Sequence, residues 1–153
     1  MGKGKINFSD GGSYEGAWIN GVIEGIGIAK YANGLVYEGE FSRGKNNGSG
    51  TMTYSDGYVY KGNWKNGIQE GKGEEKFPNG TTYKGEFKNN QRHGKGTMKM
   101  EDGFSYTGDW VSGEMSGRGI AVYANGDQYD GYFPVSYTHL RAHETPEHLG
   151  CRL

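Results

Sequence analysis

Few residues in this chain combine reactive chemistry with a spacing that would let them use it. Gly67-Ile68-Gln69-Glu70-Gly71-Lys72-Gly73 approaches a glycine-rich phosphate loop. It is one residue short, and Gly73 stands where a magnesium-binding Ser or Thr is needed. His143-Glu144-Thr145-Pro146-Glu147-His148 has the letters of a zinc-protease helix, but a proline interrupts it and its histidines are five apart. Zinc needs an i, i+4 pair on one helical face. His93 is expected alone in a solvated turn, with no regularly placed Ser or Cys to act as a nucleophile. The better spaced set is cationic: Lys72, Lys95 and Arg118 recur at intervals of 23 residues, each between two glycines. Two strands apart, such side chains stand on one face at about 10 Å, where exposed like charges repel by only about 0.4 kcal/mol in water. They form a candidate anion-binding strip, with a plain solvated face as the alternative. No catalytic residue, metal ligand or cofactor is predicted.

The 23-residue interval belongs to the whole chain. Tyr-x-Gly-x-Trp/Phe returns as Tyr14/Trp18, Tyr37/Phe41, Tyr60/Trp64, Tyr83/Phe87 and Tyr106/Trp110, and opens again at Tyr129/Phe133. Gly-x-Gly follows in phase, from Gly25/Gly27 to Gly117/Gly119, with a leading copy at Gly2/Gly4. Asp-Gly or Asn-Gly closes each unit, from Asp10/Gly11 to Asn125/Gly126. A fixed period of this size means stacked units that bury their apolar faces against one another.

Within a unit, Tyr37-Glu38-Gly39-Glu40-Phe41 alternates large or small residues with charged ones, the period of a half-buried strand. Its partner places Gly48, Gly50, Met52 and Tyr54 on one face, a bare slot for a neighbouring ring. Asn-Gly and Asp-Gly predict two-residue hairpin loops with both central residues at positive φ. A second turn signal lies between the strands, at Asn20/Gly21, Arg43/Gly44, Asn66/Gly67, Asn89/Asn90 and Ser112/Gly113. The reading is an all-β, elongated, single-layer antiparallel sheet of about twelve hairpin strands, roughly 55 Å long at about 4.8 Å per strand. A half-repeat covers 1–13, five full repeats cover 14–128, and a sixth begins at 129–133. Tyr14, Trp18, Tyr37, Phe41, Tyr60, Trp64, Tyr83, Phe87, Tyr106 and Trp110 are the expected aromatic ladder, with some rings free on an open face to stack on a peptide or lipid.

From Gly2 to Phe133 the pattern resembles the MORN (membrane occupation and recognition nexus) repeat. The family's usual acidic second position is kept at Glu15, Glu38 and Asp130 and lost at Lys61, Lys84 and Thr107. The resemblance implies a twisted sheet with a shallow groove. It also implies a protein-interaction or dimerisation module, with some relatives linked to phosphoinositide membranes or joined to lipid-kinase domains.

Thirty glycines among 153 residues would suggest a flexible tract, but the strict phase argues otherwise, and 12 Tyr and 3 Trp supply apolar area. Net charge is −1, which disfavours nucleic acid, since stacking sites for single strands need a positive groove. The charge is uneven: Tyr60–Ser105 holds nine Lys/Arg against six Asp/Glu, and acidic stretches flank it. A lone cysteine, Cys151, and the absence of a secretory or membrane-spanning apolar run predict a cytoplasmic protein, at most peripheral to membranes. The phase stops after Phe133. Pro134-Val135-Ser136-Tyr137-Thr138-His139-Leu140-Arg141-Ala142-His143-Glu144-Thr145 resembles the in-frame translation of a sequencing adapter, so 134–153 is expected to be a non-native or disordered tail, with the natural gene continuing differently. The functional expectation is a non-enzymatic scaffold for a protein partner or self-association. The alternative is a module for anionic phospholipid membranes, within a larger protein such as a phosphatidylinositol phosphate kinase.

Overall fold

The computed structural model describes residues 2–133. The tail reading and the His143–His148 pair therefore lie outside the described residues. Twelve strands, β1 (Gly2–Asn7), β2 (Ser13–Ile19), β3 (Val22–Lys30), β4 (Val36–Ser42), β5 (Lys45–Thr53), β6 (Val59–Lys65), β7 (Ile68–Lys76), β8 (Thr82–Lys88), β9 (Gln91–Lys99), β10 (Ser105–Val111), β11 (Glu114–Val122) and β12 (Gln128–Phe133), form one antiparallel sheet in sequence order. Each 23-residue unit is one hairpin, as its alternation and turns require.

One glycine from every strand lies on a single line across the sheet. Gly4 faces Gly16, Gly16 faces Gly27 and Gly27 faces Gly39, and the series continues unbroken to Gly119 and Gly131. The tyrosine that opens each hairpin explains it. A Cβ added at Gly73 would come within 2.5–2.7 Å of the Tyr60 ring, so no larger residue fits beneath it. The ring is pinned at its far end, because each hydroxyl donates to the carbonyl three residues on: Tyr14 to Ala17 (2.8 Å), Tyr37 to Glu40 (2.8 Å), Tyr60 to Asn63 (2.9 Å), Tyr83 to Glu86 (3.0 Å) and Tyr106 to Asp109 (2.8 Å). At these residues the pairing with the partner strand is interrupted, and the phenol supplies a partner there.

The two glycines of Gly-x-Gly have different tasks, a distinction the expected common slot did not make. The second lies under the tyrosine. The first belongs to a β-bulge: Gly39 faces Gly50 and Phe41 faces Asn46, so two steps on β4 answer four on β5. Gly48, in this bulge, has φ +97°, a backbone state open to glycine at little cost. Carboxylates fasten several bulges. The Ser49 N–H donates to Glu40 Oε2 (2.8 Å), the Lys95 N–H to Glu86 Oε2 (3.1 Å), and the Arg118 N–H to Asp109 Oδ2 (3.1 Å).

The Asn-Gly and Asp-Gly loops are not the two-residue loops expected of them. Two-residue loops with both residues at positive φ occur at the second signal, as at Arg43 (52°) and Gly44 (78°). At Asn33-Gly34 only the glycine has positive φ (92°). There the Gly34 N–H donates to the Tyr31 carbonyl (3.0 Å) and the Tyr31 N–H to the Leu35 carbonyl (2.8 Å), which encloses a three-residue loop. The Asn33 side chain accepts from the Leu35 N–H (3.2 Å), and Asp10, Asp56, Asn79, Asp102 and Asn125 do the same in their own loops. Asn and Asp interchange here because the side-chain oxygen is what the loop uses. His93 is a further correction. Because β9 begins directly after the Asn89-Asn90 turn, His93 is a half-buried strand residue at the bulge.

Two stability predictions result. Gly73→Ala should destabilise by about 1–3 kcal/mol or more through overpacking against Tyr60. Gly2→Ala, where a Cβ meets nothing within 4 Å, should be near neutral in the same chemical denaturation series. Trp64 is 6% exposed between the rings of Tyr37 and Tyr60, and Trp64→Ala should cost about 3–5 kcal/mol. Trp18 is half-buried and meets only the Tyr14 ring among described aromatic contacts, so Trp18→Ala should cost clearly less.

Candidate interaction face

The sheet has two unlike faces. On one, the ladder closes upon itself: Trp18 meets Tyr14, Tyr14 meets Phe41, Phe41 meets Tyr37 and Tyr37 meets Trp64. The edge-to-face series continues through Tyr60, Phe87, Tyr83, Trp110 and Tyr106 to Phe133 and Tyr129. Centroid separations are 4.9–5.5 Å, within the favoured range for such pairs. Tyr37, Tyr60, Tyr83 and Tyr106 have 0% exposure and Tyr14 has 1%. These rings are core, which leaves them unable to stack on a ligand.

Two charged side chains interrupt this face. Each hairpin has a buried position opposite its tyrosine, occupied by Ala29, Met52, Glu75, Met98 and Ala121. Another lies opposite its Trp or Phe, occupied by the partly buried Ile23 and the buried Asn46, Gln69, Arg92 and Met115. Arg92 Nη1 donates to Glu75 Oε1 at 2.8 Å, and both side chains are almost fully buried. The Tyr58 hydroxyl donates to the other oxygen of Glu75, and the guanidinium lies 5.3 Å from the Trp110 ring centroid and 5.8 Å from that of Tyr83. Burial, and then the Glu75 carboxylate, push the Tyr58 hydroxyl pKa upward. The pair was legible in principle as two charges at phases held elsewhere by uncharged residues.

The opposite face is polar. Either side of the glycine line, alternation turns two rows of side chains outward, and between them lies a groove of about 760 Å³ that includes Thr51, Lys61, Asn63, Lys72, Lys84 and Lys95. Every lysine of β6–β9 projects to this face and is exposed, two from each strand: Lys61 and Lys65, Lys72 and Lys76, Lys84 and Lys88, Lys95 and Lys99. Only three carboxylates, Glu70, Glu74 and Glu86, accompany them, because the fourth in these strands, Glu75, is buried with Arg92.

Lys72, Lys95 and Arg118 do share one row, but the row is not purely cationic. Lys72 faces Glu86, Lys95 forms an ion pair with Asp109, and Arg118 faces Tyr132. The hydrogen bond from the Lys95 ammonium holds the Asp109 carboxyl below its usual pKa. The second row adds Lys61 and Lys84 around Glu74, with Lys84 Nζ 4.0 Å from Glu74 Oε1. Strand parity was the signal for these further lysines.

The sequence profile of the MORN repeat matches residues 14–36, 37–57, 60–82, 83–104 and 106–128. The chain belongs to the MORN-repeat family. No curated protein matches it in full-sequence comparison. Among solved structures, the TCP domain of Drosophila melanogaster SAS-4 in complex with a proline-rich motif of Ana2 is similar at 15% identity, with a TM-score of 0.38 over 82% of this chain and 75% of that one. The TCP10 domain of Danio rerio CPAP in complex with a STIL peptide gives 16% identity and a TM-score of 0.34, over 83% and 67%.

Two predictions concern buried polar groups of this MORN array. Burial raises the pKa of each ladder tyrosine, to about 12 for Tyr37. Unfolded tyrosines ionise near pH 10, so above that pH the unfolded chain holds fewer protons than the folded one. The contribution of these tyrosines to stability should be fully present below about pH 10 and be lost as pH rises through their raised folded-state values. Because these phenols share one core, phenolate absorbance and loss of β circular dichroism should coincide in one sharp alkaline transition. For the ion pair, Glu75→Met or Arg92→Met alone should cost about 3–5 kcal/mol. The double variant, which installs the residue type of Met52, Met98 and Met115, should recover most of that loss in a denaturation cycle.

Proposed function

We propose that this MORN-repeat array is a non-enzymatic cytoplasmic scaffold that engages a protein partner through its polar face. The observation that carries the reading is the division of labour between the faces. The aromatic ladder is consumed by the core, whereas the polar face has a long groove and exposed charges held by short, regular strands. Fixed polar groups on a rigid sheet suit recognition of a partner. Since the rings are buried, the contact rests on the groove side chains and strand edges, and groove charge reversal should weaken it.

Eight lysines on one face support a second reading, an anionic phospholipid surface, because clusters of about four to eight basic residues mark such sites. Two features favour the protein partner. The ends of the same face lack the lysine surplus of the centre, with Glu15, Glu38 and Glu40 beside Lys3 and Lys5 at one end and Asp109 and Asp130 beside Arg118 at the other, so a flat anionic bilayer laid along it would find little attraction there. A groove also suits a side-chain-bearing segment better than a flat surface.

The test places a photo-crosslinking amino acid at Thr51, in the groove, and in parallel measures flotation with phosphoinositide vesicles at physiological salt. Protein adducts from Thr51 that disappear in Lys72→Glu/Lys84→Glu/Lys95→Glu, together with background flotation, are expected. Strong vesicle binding abolished by the triple reversal, without protein adducts, would reverse the assignment.

A further inference from the structure

Resting on the scaffold reading, we propose the chemistry of the partner: a segment with an acidic centre and an apolar residue at each end, laid along the glycine line of the polar face. The charge of this face changes sign twice. Strands β1–β4 carry Glu15, Glu24, Glu38 and Glu40 against Lys3, Lys5 and Lys30, a deficit of one. Strands β6–β9 carry the eight lysines against Glu70, Glu74 and Glu86, a surplus of five. Strands β10–β12 return to Asp109, Glu114 and Asp130 against Arg118. The surplus of positive charge lies in the central third, so acid is drawn there rather than to either end.

Apolar exposure has the complementary pattern. In the two rows bordering the glycine line, β5–β10 contribute only Ser, Thr, Asn, Lys, Glu and Asp. At the first end Ile26 is 71% exposed and Ile28 adjoins it across from Glu38. At the other end Tyr132 is 61% exposed and Ile120 is 37% exposed. Isolated apolar residues are ordinary on surfaces. Here they occupy the same two rows as the lysines, at both ends, away from the lysine surplus.

The geometry sets the length of the segment. From β3 to β11 is eight strand spacings, about 38 Å, which an extended chain at about 3.3 Å per residue crosses in about twelve residues. A second copy of this chain fits less well, because turning two such faces together end for end sets one lysine-rich centre on the other. Acidic residues between two apolar anchors answer both the charge and the exposure.

The experiment measures fluorescence anisotropy with the full chain and two synthetic peptides of one composition. One has a run of glutamates between leucine pairs about twelve residues apart, and the other has the leucines central and the glutamates at the ends. The first should bind about tenfold or more tightly than the second. Lys84→Glu should weaken both peptides and flatten their salt dependence. Ile26→Ser and Ile120→Ser, exposed positions whose change should leave the melting temperature intact, should weaken only the first, with its salt dependence unchanged. Equal binding of the two peptides, or indifference to both isoleucine changes, would overturn the proposal. So would binding of phosphatidylserine vesicles with neither peptide bound. Protein adducts from the groove, found while the patterned peptide fails to bind, would overturn this proposal and leave the scaffold reading standing.

Discussion

A tyrosine ring seated over the facing glycines of its own hairpin is the contact on which the rest of this sheet depends. The ring takes the volume that a Cβ would fill, and its hydroxyl reaches the carbonyl where strand pairing is interrupted. Its edge or face meets the Trp or Phe of its own unit and that of the next. One side chain thus joins strand to strand and unit to unit. Among the described residues the sheet has no second layer, and it gains a dry interior this way because successive aromatic rings cover one another. Stability in such an array is the sum of unit and interface contributions, and here both run through the same residue.

That arrangement decides what is left for recognition. With the rings turned inward and largely closed, the apolar part of the chain is spent on cohesion. The bulges bend one strand of each hairpin and turn a carboxylate toward the backbone in several units, so some acidic groups on the polar face are already engaged in holding the fold. The lysines of the centre have few such duties. Lys95 is paired with Asp109 and Lys84 lies near Glu74, both in exposed settings where ion pairs contribute little to stability and a ligand carboxylate can compete. The face can exchange partners without loosening the core behind it.

The buried Glu75–Arg92 pair marks a departure from the repeat. Otherwise similar hairpins would tolerate Met at these positions, as Met52, Met98 and Met115 show. An ion pair in a low-dielectric setting is seldom more stable than a well-packed apolar substitute, though breaking it by halves is costly. Tyr58, Tyr83 and Trp110 surround it with a hydrogen bond and aromatic faces. The pair distinguishes the third and fourth units from the rest, beneath the lysine-rich part of the opposite face.

Much of the fold was legible because the phase is strict. Tyr14 to Tyr106 fix where strands start, the alternating letters fix which side chains share a face, and the loop residues fix that neighbours are hairpins. Several details were not legible. Asn33-Gly34 and Arg43-Gly44 both read as turns, and only backbone hydrogen bonding distinguishes the three-residue loop from the two-residue one. Gly48 and Gly50 look alike in sequence, yet one accommodates positive φ in a bulge and the other lies beneath a ring. Lys72, Lys95 and Arg118 were found by their period, but Glu86 and Asp109 belong to neighbouring strands and enter the row only through the register. By itself the sequence determined an all-β stack of hairpins with a tyrosine-glycine core, since those features follow from local periodicity repeated in each unit. Only the tertiary structure decided the composition of the polar face and the pairing of Glu75 with Arg92, because residues distant in the chain become neighbours through strand register, which the bulges set.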